Sequence, residues 1–306
     1  MKVNKFYILL LFVSFIVKTI AQQEAQYTQY MYNLNIINPA YAGSKESTLS
    51  IGLMGRSQWM NIPGSPQSAT FSIHKPLNNG LGLGLSLLAD KLGPVNEQFV
   101  YADVSYTIPV GYYSNLAFGL KGGMSLFDAK LSDLQTYLPD DESFAEDIHQ
   151  FKPNIGAGLF YYSDNHYIGI SVPNILQSEY MAKEGSFYTS VSRTNHLFLT
   201  GGYVFELNDR LKFKPSTMIK MTQGAPLSVD LSANFLFQEK FEVGASYRWD
   251  DSISGLFNIK LFKDFRIGYA YDYTLTDIGK HTSGTHEVFL LFDINNNFEI
   301  LSPRYF

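Results

Sequence analysis

Ser72 and His74 stand two apart, so in an extended segment they share one face, and Asp103 lies where a neighbouring segment could bring it close. A nucleophile, a base and an orienting carboxylate can be drawn from these three. The local sequence does not suit that chemistry. Ser72 sits in Thr70-Phe71-Ser72-Ile73-His74, with no G-x-S-x-G turn to present its hydroxyl, and Ser and His are ordinary occupants of a polar sheet face. The expectation is no enzymatic activity. A lipase or protease is the enzyme-class alternative, separable by mutating His74 and assaying ester or peptide turnover.

Asp133, Asp140, Asp141, Glu142, Glu146 and Asp147 form the densest acidic cluster, with Tyr137, Phe144 and Ile148 interleaved. Calcium takes such oxygens, but the regular ligand spacing and turn glycine of a calcium loop are missing, so a solvated acidic loop is the bland alternative. The functional reading is a partner-facing loop, with Tyr137 and Phe144 as anchors and Asp140 and Asp141 steering a basic partner. His149, His166, His196, His281 and His286 lack paired ligand spacing, so no metal site is expected. Gly80, Gly82 and Gly84 alternate, but no helix follows to receive a phosphate, so they read as sites of lumen packing or strand bending. No cofactor is expected.

The elements that must position these groups are strands. From Thr48 to Ile294, apolar and polar residues alternate in about fourteen runs, as in Leu81-Gly82-Leu83-Gly84-Leu85-Ser86-Leu87. Alternation over so many segments, each closed by a turn, is the pattern of a transmembrane barrel whose side chains point by turns to lipid and lumen. The runs fall near 47–58, 67–75, 80–89, 97–109, 114–127, 152–162, 165–173, 194–206, 209–221, 226–237, 239–249, 252–262, 264–274 and 284–294. Short turns at Asn78-Asn79, Ser163-Asp164, Asn208-Asp209, Gln238-Glu239 and Lys263-Asp264 alternate with long connections at 128–150, 174–193 and 274–284. With an even strand number, both termini are expected at the short-turn, periplasmic rim.

Composition agrees with that class. Charged residues make up only 17% and aromatics reach 15%, which suits a wall that meets lipid more than water. A net charge of -5 without a basic cluster argues against a nucleic-acid partner. Lys2 and Lys5 precede an apolar stretch from Phe6 to Val17, with Thr19 and Ala21 at the spacing of a secretory cleavage site. Residues 1–21 are therefore read as a signal peptide. No cysteine is present, so neither lipoprotein processing nor a disulfide framework is expected. Parity places Arg56, Lys121, Lys214, Asp230, Glu242, Arg248, Arg266 and Asp272 inside, a mixture of signs that suits ion pairing better than a selectivity ring.

Two stretches carry a family resemblance. Gln26-Tyr27-Thr28-Gln29-Tyr30-Met31-Tyr32-Asn33 leads into Ile37-Asn38-Pro39-Ala40-Tyr41-Ala42-Gly43-Ser44, and Arg56-Ser57-Gln58-Trp59 follows. With Gly64-Ser65-Pro66, Thr70, Ser72-Ile73-His74-Lys75-Pro76 and the ending Leu301-Ser302-Pro303-Arg304-Tyr305-Phe306, the chain resembles the PorP/SprF family of type IX secretion and gliding proteins. Ser65 departs from the Ala expected in a Gly-Ala-Pro version. The resemblance implies an outer-membrane protein of Bacteroidetes-type bacteria. Its SprF-like members handle the C-terminal signal domain of a secreted adhesin, and its PorP-like members associate with periplasmic parts of the same machine.

The expectation is an all-β, up-and-down outer-membrane barrel of about 14 antiparallel strands over residues 47–294. Residues 22–46 precede it as a plug or periplasmic rim segment, and 295–306 follow as a tail in which Arg304, Tyr305 and Phe306 either dock in the periplasm or signal barrel insertion. The opening segment is expected to tuck against or into the lumen, with Gln29, Tyr30, Asn38, Pro39, Tyr41 and Gly43 near Arg56, Gln58, Thr70 and His74, and with Trp59 at the outer interface. The alternative is a periplasmic tail that only seals the first strand. The expected function is binding an adhesin's signal domain for export or surface anchoring. The competing function is a diffusion channel for small or hydrophobic solutes.

Overall fold

The structure, a computed structural model, describes residues 26–44, 48–133, 147–176, 178–184, 187–193 and 195–295. Its strands are β1 (Thr48–Ser57), β2 (Gln67–Pro76), β3 (Leu81–Leu92), β4 (Val95–Pro109), β5 (Ser114–Ala129), β6 (Ile148–Ser163), β7 (His166–Val172), β8 (Ser178–Glu184) and β9 (Phe187–Arg193). They continue with β10 (His196–Tyr203), β11 (Phe205–Asn208), β12 (Leu211–Thr222), β13 (Ser228–Phe237), β14 (Phe241–Arg248), β15 (Ser252–Phe262), β16 (Phe265–Thr274) and β17 (Thr285–Asn295). β10 and β11 form one stave: Val204, between them, donates its amide to the Asn165 carbonyl at 2.7 Å in continuation of the β7 register, and both pieces pair with β12 in one register. The barrel thus has fourteen staves, each paired antiparallel with its neighbours.

The sheet closes on itself. β1 pairs with β17 in unbroken register from Thr48↔Asn295 to Ser57↔His286, and β10 bridges β7 and β12. Closure satisfies the edges that an open sheet would expose in hydrocarbon. The alternation in β3 has its expected result: Leu81, Leu83, Leu85 and Leu87 are exposed on the outer wall and Ser86 is buried inside. No helix among the described residues is long and apolar enough to cross a membrane.

Turn chemistry separates the rims. One carries the short connections after β2, β4, β6, β11, β13 and β15, together with Thr48 and Asn295; the other carries the long connections after β1, β5, β7 and β16 and shorter ones after β3, β12 and β14. An aromatic belt follows the short-turn rim, where Tyr203–Phe205, Phe213–Phe235 and Phe265–Phe292 pack at 4.4 to 4.7 Å and Tyr112 and Tyr113 stand exposed. Such girdles mark the membrane interface.

Two features differ from the sequence expectation. β8 and β9 form a separate two-stranded hairpin inside the connection read as a plain loop at 174–193. β5 and β6 each run to 16 residues, longer than expected, and project past the long-loop rim with β4. There Phe127, Ala129 and Ile148 bury one another, which supports the ladder beyond the membrane.

Candidate functional site: an occupied lumen

The largest buried cluster lies inside the barrel and is built around residues 26–44. This segment is a chain of short turns: a 3-10 turn at Tyr30–Tyr32, a single helical turn at Leu34–Ile37 and a second 3-10 turn at Pro39–Tyr41. Pieces this short do not persist in water, so the wall must hold them. Asn38 organises the last turn: its Oδ1 accepts from the Ala40 amide at 3.0 Å, its Nδ2 donates to the Leu159 carbonyl at 3.0 Å, and Pro39 occupies the first helical position. Ser171 donates to the Ile37 carbonyl at 2.7 Å.

Polar wall residues meet the segment along its length. The Glu287 carboxylate accepts the amides of Thr28 at 2.9 Å and Gln29 at 2.7 Å, and Thr28 Oγ1 also reaches Asp272. Arg56 lies between the two carboxylates, 2.7 Å from Asp272 and 2.9 Å from Glu287, with all three groups buried. The guanidinium fork is suited to bridging two acids, and each acid keeps a further donor from the segment. Lower down, Asn33 donates to Thr70 at 2.8 Å and Asn35 to Asp103 at 3.2 Å, while Lys121 pairs with Asp103 at 3.0 Å and donates to the Asn35 carbonyl. Tyr32 donates to Glu242, stacks on Phe289 with centroids 4.5 Å apart and lies under the Lys214 ammonium. His74 Nδ1 meets the Ala42 carbonyl at 3.2 Å, and its ring packs edge-on to Tyr41.

The wall also makes room. A Cβ on Gly119 would collide with the Ala40 backbone, and one on Gly43 would lie 2.9 Å from the Gly82 Cα. Backbone therefore packs on backbone, which only glycine permits.

The segment crosses the barrel from rim to rim. Gln26 accepts from Arg248 at 2.8 Å, and Arg248 also holds Asp251 in a connection at the long-loop rim. Gly43 lies beside Gly82, one residue from the short-turn end of β3. The expectation that both termini stay at the short-turn rim is therefore corrected for the N-terminal side. Thr48 begins at that rim, but Gln26 stands at the opposite one, because Glu287, Asp272 and Arg248 draw the segment upward.

Of the residues singled out from sequence, Gln29, Tyr30, Asn38, Pro39, Tyr41, Gly43, Arg56, Thr70 and His74 come together in the lumen, each buried or packed on a buried partner. Gln58 and Trp59 do not join them. Both lie in the β1–β2 connection, where the Gln58 amide bonds the Pro66 carbonyl and the Trp59 amide bonds Thr285 Oγ1. Tyr137, Asp140, Asp141 and Phe144, and Arg304, Tyr305 and Phe306, lie outside the described residues, as do residues 1–21. Ser72, His74 and Asp103 do not form a relay: the Ala42 carbonyl meets His74 Nδ1, and Lys121 and Asn35 engage Asp103. Among the described residues no cluster could hold a metal ion.

Sequence reading missed Thr28, Asn33, Asn35 and Glu287 as anchors. A signal for an occupied lumen was present in the wall. Met54, Phe160, Phe198, Met218, Phe289 and Leu291 fall on the inward parity, and apolar side chains there imply apolar contents rather than water.

The fold is similar to several solved structures. The CymD monoaromatic hydrocarbon channel shares 12% identity over 91% of this chain and 94% of that one, at a TM-score of 0.48. The Pseudomonas putida toluene transporter TodX shares 10% identity over 90% and 98%, at 0.46. The KdgM porin shares 10% over 82% and 99%, at 0.38. No curated protein matches the chain. The model of one family, type IX secretion system membrane protein PorP/SprF, matches residues 19–292, taking in the whole lumen segment and nearly the whole barrel, and the chain belongs to that family.

Proposed function

We propose that this protein is a non-enzymatic outer-membrane docking subunit of type IX secretion, with the long-loop rim facing outward. There it receives the C-terminal signal domain of a secreted adhesin, for export or for retention at the surface. Other secretion components meet the barrel at its periplasmic rim. The observation that carries this reading is the lumen filled by residues 26–44, hydrogen-bonded to the wall from Glu287 down to His74. A barrel with its bore occupied by its own chain presents rims and outer wall to partners, and the long-loop rim has the larger surface. The projecting β4–β6 ridge and the β8–β9 hairpin give that rim structured area for a folded domain.

The test is affinity purification of the tagged protein from detergent-solubilised outer membranes, with mass spectrometry of what accompanies it. A surface adhesin or its C-terminal domain is expected, and deleting residues 134–146 should reduce its recovery. Recovery of the barrel alone, together with steady solute or ion conductance in planar bilayers, would overturn the reading in favour of a diffusion channel.

A further inference from the structure

The outer wall is largely apolar and bulky, and small residues interrupt it in more than one sector: Pro215, Ala233, Ala245 and Gly255 align across β12 to β15, and a second row, across β17 to β4, is bordered by polar groups. Across β17, β1, β2, β3 and β4 the register aligns Val288, Gly55, Ala69, Ala89 and Gln98 in a single outward row. The row toward the short-turn rim is Leu290, Leu53, Phe71, Leu87 and Val100; the row toward the long-loop rim is His286, Ser57, Gln67, Lys91 and Asn96. The small middle row leaves a groove of about 640 Å³, and a Cβ on Gly55 would meet nothing within 4 Å. That volume is of the size that holds small ligands, about 300–1,000 Å³.

Its chemistry is graded along the membrane normal. Large apolar side chains bound it below, small ones form the centre of its floor, and a serine, a histidine, two amide groups and one lysine border it above. The three rows contain no acidic residue. Asp90 touches the groove but lies in register with Ser68 and Glu97 on the inward parity. A protein partner would be expected to seat on Trp, Tyr or exposed Arg anchors; the floor and upper border present His286 as their one ring, and Arg56, which touches the groove, is turned inward to Asp272 and Glu287. A single acyl chain fits a smooth floor of Gly55, Ala69 and Ala89, and a phosphate suits the Lys91 ammonium flanked by the Gln67 and Asn96 amides.

We propose that this groove is a binding site for an anionic, phosphate-bearing lipid of the leaflet at the long-loop rim, with an acyl chain on the small-residue floor and the phosphate, uncompensated by a headgroup cation, at Lys91. The proposal rests on the membrane barrel alone and does not depend on adhesin docking.

The full-length protein, delipidated in detergent, would be titrated with phosphatidylglycerol or with phosphatidylcholine of the same chains and examined by native mass spectrometry. Retained phosphatidylglycerol adducts are expected, with weaker retention of phosphatidylcholine. Lys91→Glu should lower phosphatidylglycerol retention by about thirtyfold, since a charge near a lipid surface contributes ~1 kcal/mol and reversal counts it twice. Ala69→Leu combined with Ala89→Leu, which fills the floor, should lower retention of both lipids. Lys263→Glu, the same charge change at the exposed opposite rim, should leave retention unchanged. Equal retention of the two lipids, equal retention by Lys91→Glu, or an equal loss with Lys263→Glu would overturn the proposal. So would a protein that co-purifies with the wild type and is lost from the groove variants while lipid is kept. Lys91 is exposed, so its variant remains informative if the filled-groove variant fails to insert.

Discussion

Arg56 neutralises two buried acids while those acids hold the backbone of Thr28 and Gln29, so its removal affects more than one ion pair. Arg56→Ala leaves Asp272 and Glu287 buried together without their shared cation, a change that costs ~3–5 kcal/mol where one partner of a buried pair is lost. The expected outcome is a lower urea midpoint in detergent and new chymotryptic cleavage at the tyrosines of residues 26–44. Retained protection of that segment would show that the apolar contacts of Tyr30, Met31 and Tyr41 suffice. Gly119→Leu attacks the same arrangement sterically, since even its Cβ has no room beside Ala40. The expected result is displacement of the segment with the barrel intact: heat-modifiable gel migration is kept, and conductance in planar bilayers rises above that of the wild type.

Among the elements, the β13–β14 turn holds a local conflict. Gln238 and Glu239, the central pair of the turn closed by the Lys240 amide on the Phe237 carbonyl, both have positive φ, 51° and 55°, a conformation that favours Asn and Gly. The left-handed region costs an L-residue with a Cβ ~1–2 kcal/mol, so Gln238→Gly should raise stability by roughly 1 kcal/mol, read as a higher urea midpoint. Glu239 is the less suitable position to change, because its carboxylate accepts a hydrogen bond from Lys212 at 2.8 Å, which holds that carboxyl below the usual range. The strands themselves were legible in the sequence, because lipid on one side and protein on the other impose a strict period of two, as in β3. The β8–β9 hairpin was not, because Ser178–Glu184 and Phe187–Arg193 lie outside the barrel wall, where no bilayer enforces that period. The turns within 26–44 were also hidden, since Tyr30–Tyr32 and Leu34–Ile37 are shaped by the cavity that receives them. What remained readable there was Asn38-Pro39, whose cap is local, and the glycines at 82 and 84, whose spacing indicated an inner face needing room.

For the whole molecule, the two rims make opposite predictions about access. The chain has no cysteine, so single thiols can be introduced without background. With the long-loop rim outward, Asp250→Cys should react with a membrane-impermeant maleimide on intact cells, whereas Tyr112→Cys should react only after permeabilisation. The reverse pattern would invert the barrel and with it the proposed docking face. Arg56 and Glu287 are register partners across β1 and β17, the first and last staves of the ring. The carboxylate that receives Thr28 and Gln29 therefore arrives on the final strand of the barrel, 258 residues or more along the chain from the groups it binds. Sealing the seam and trapping the segment are then a single event. Residues 26–44 precede every strand of the ring, so a chain truncated before β17 would lack both the closed wall and the Glu287 anchor of the lumen segment. Biogenesis of this barrel thus carries its own completeness check.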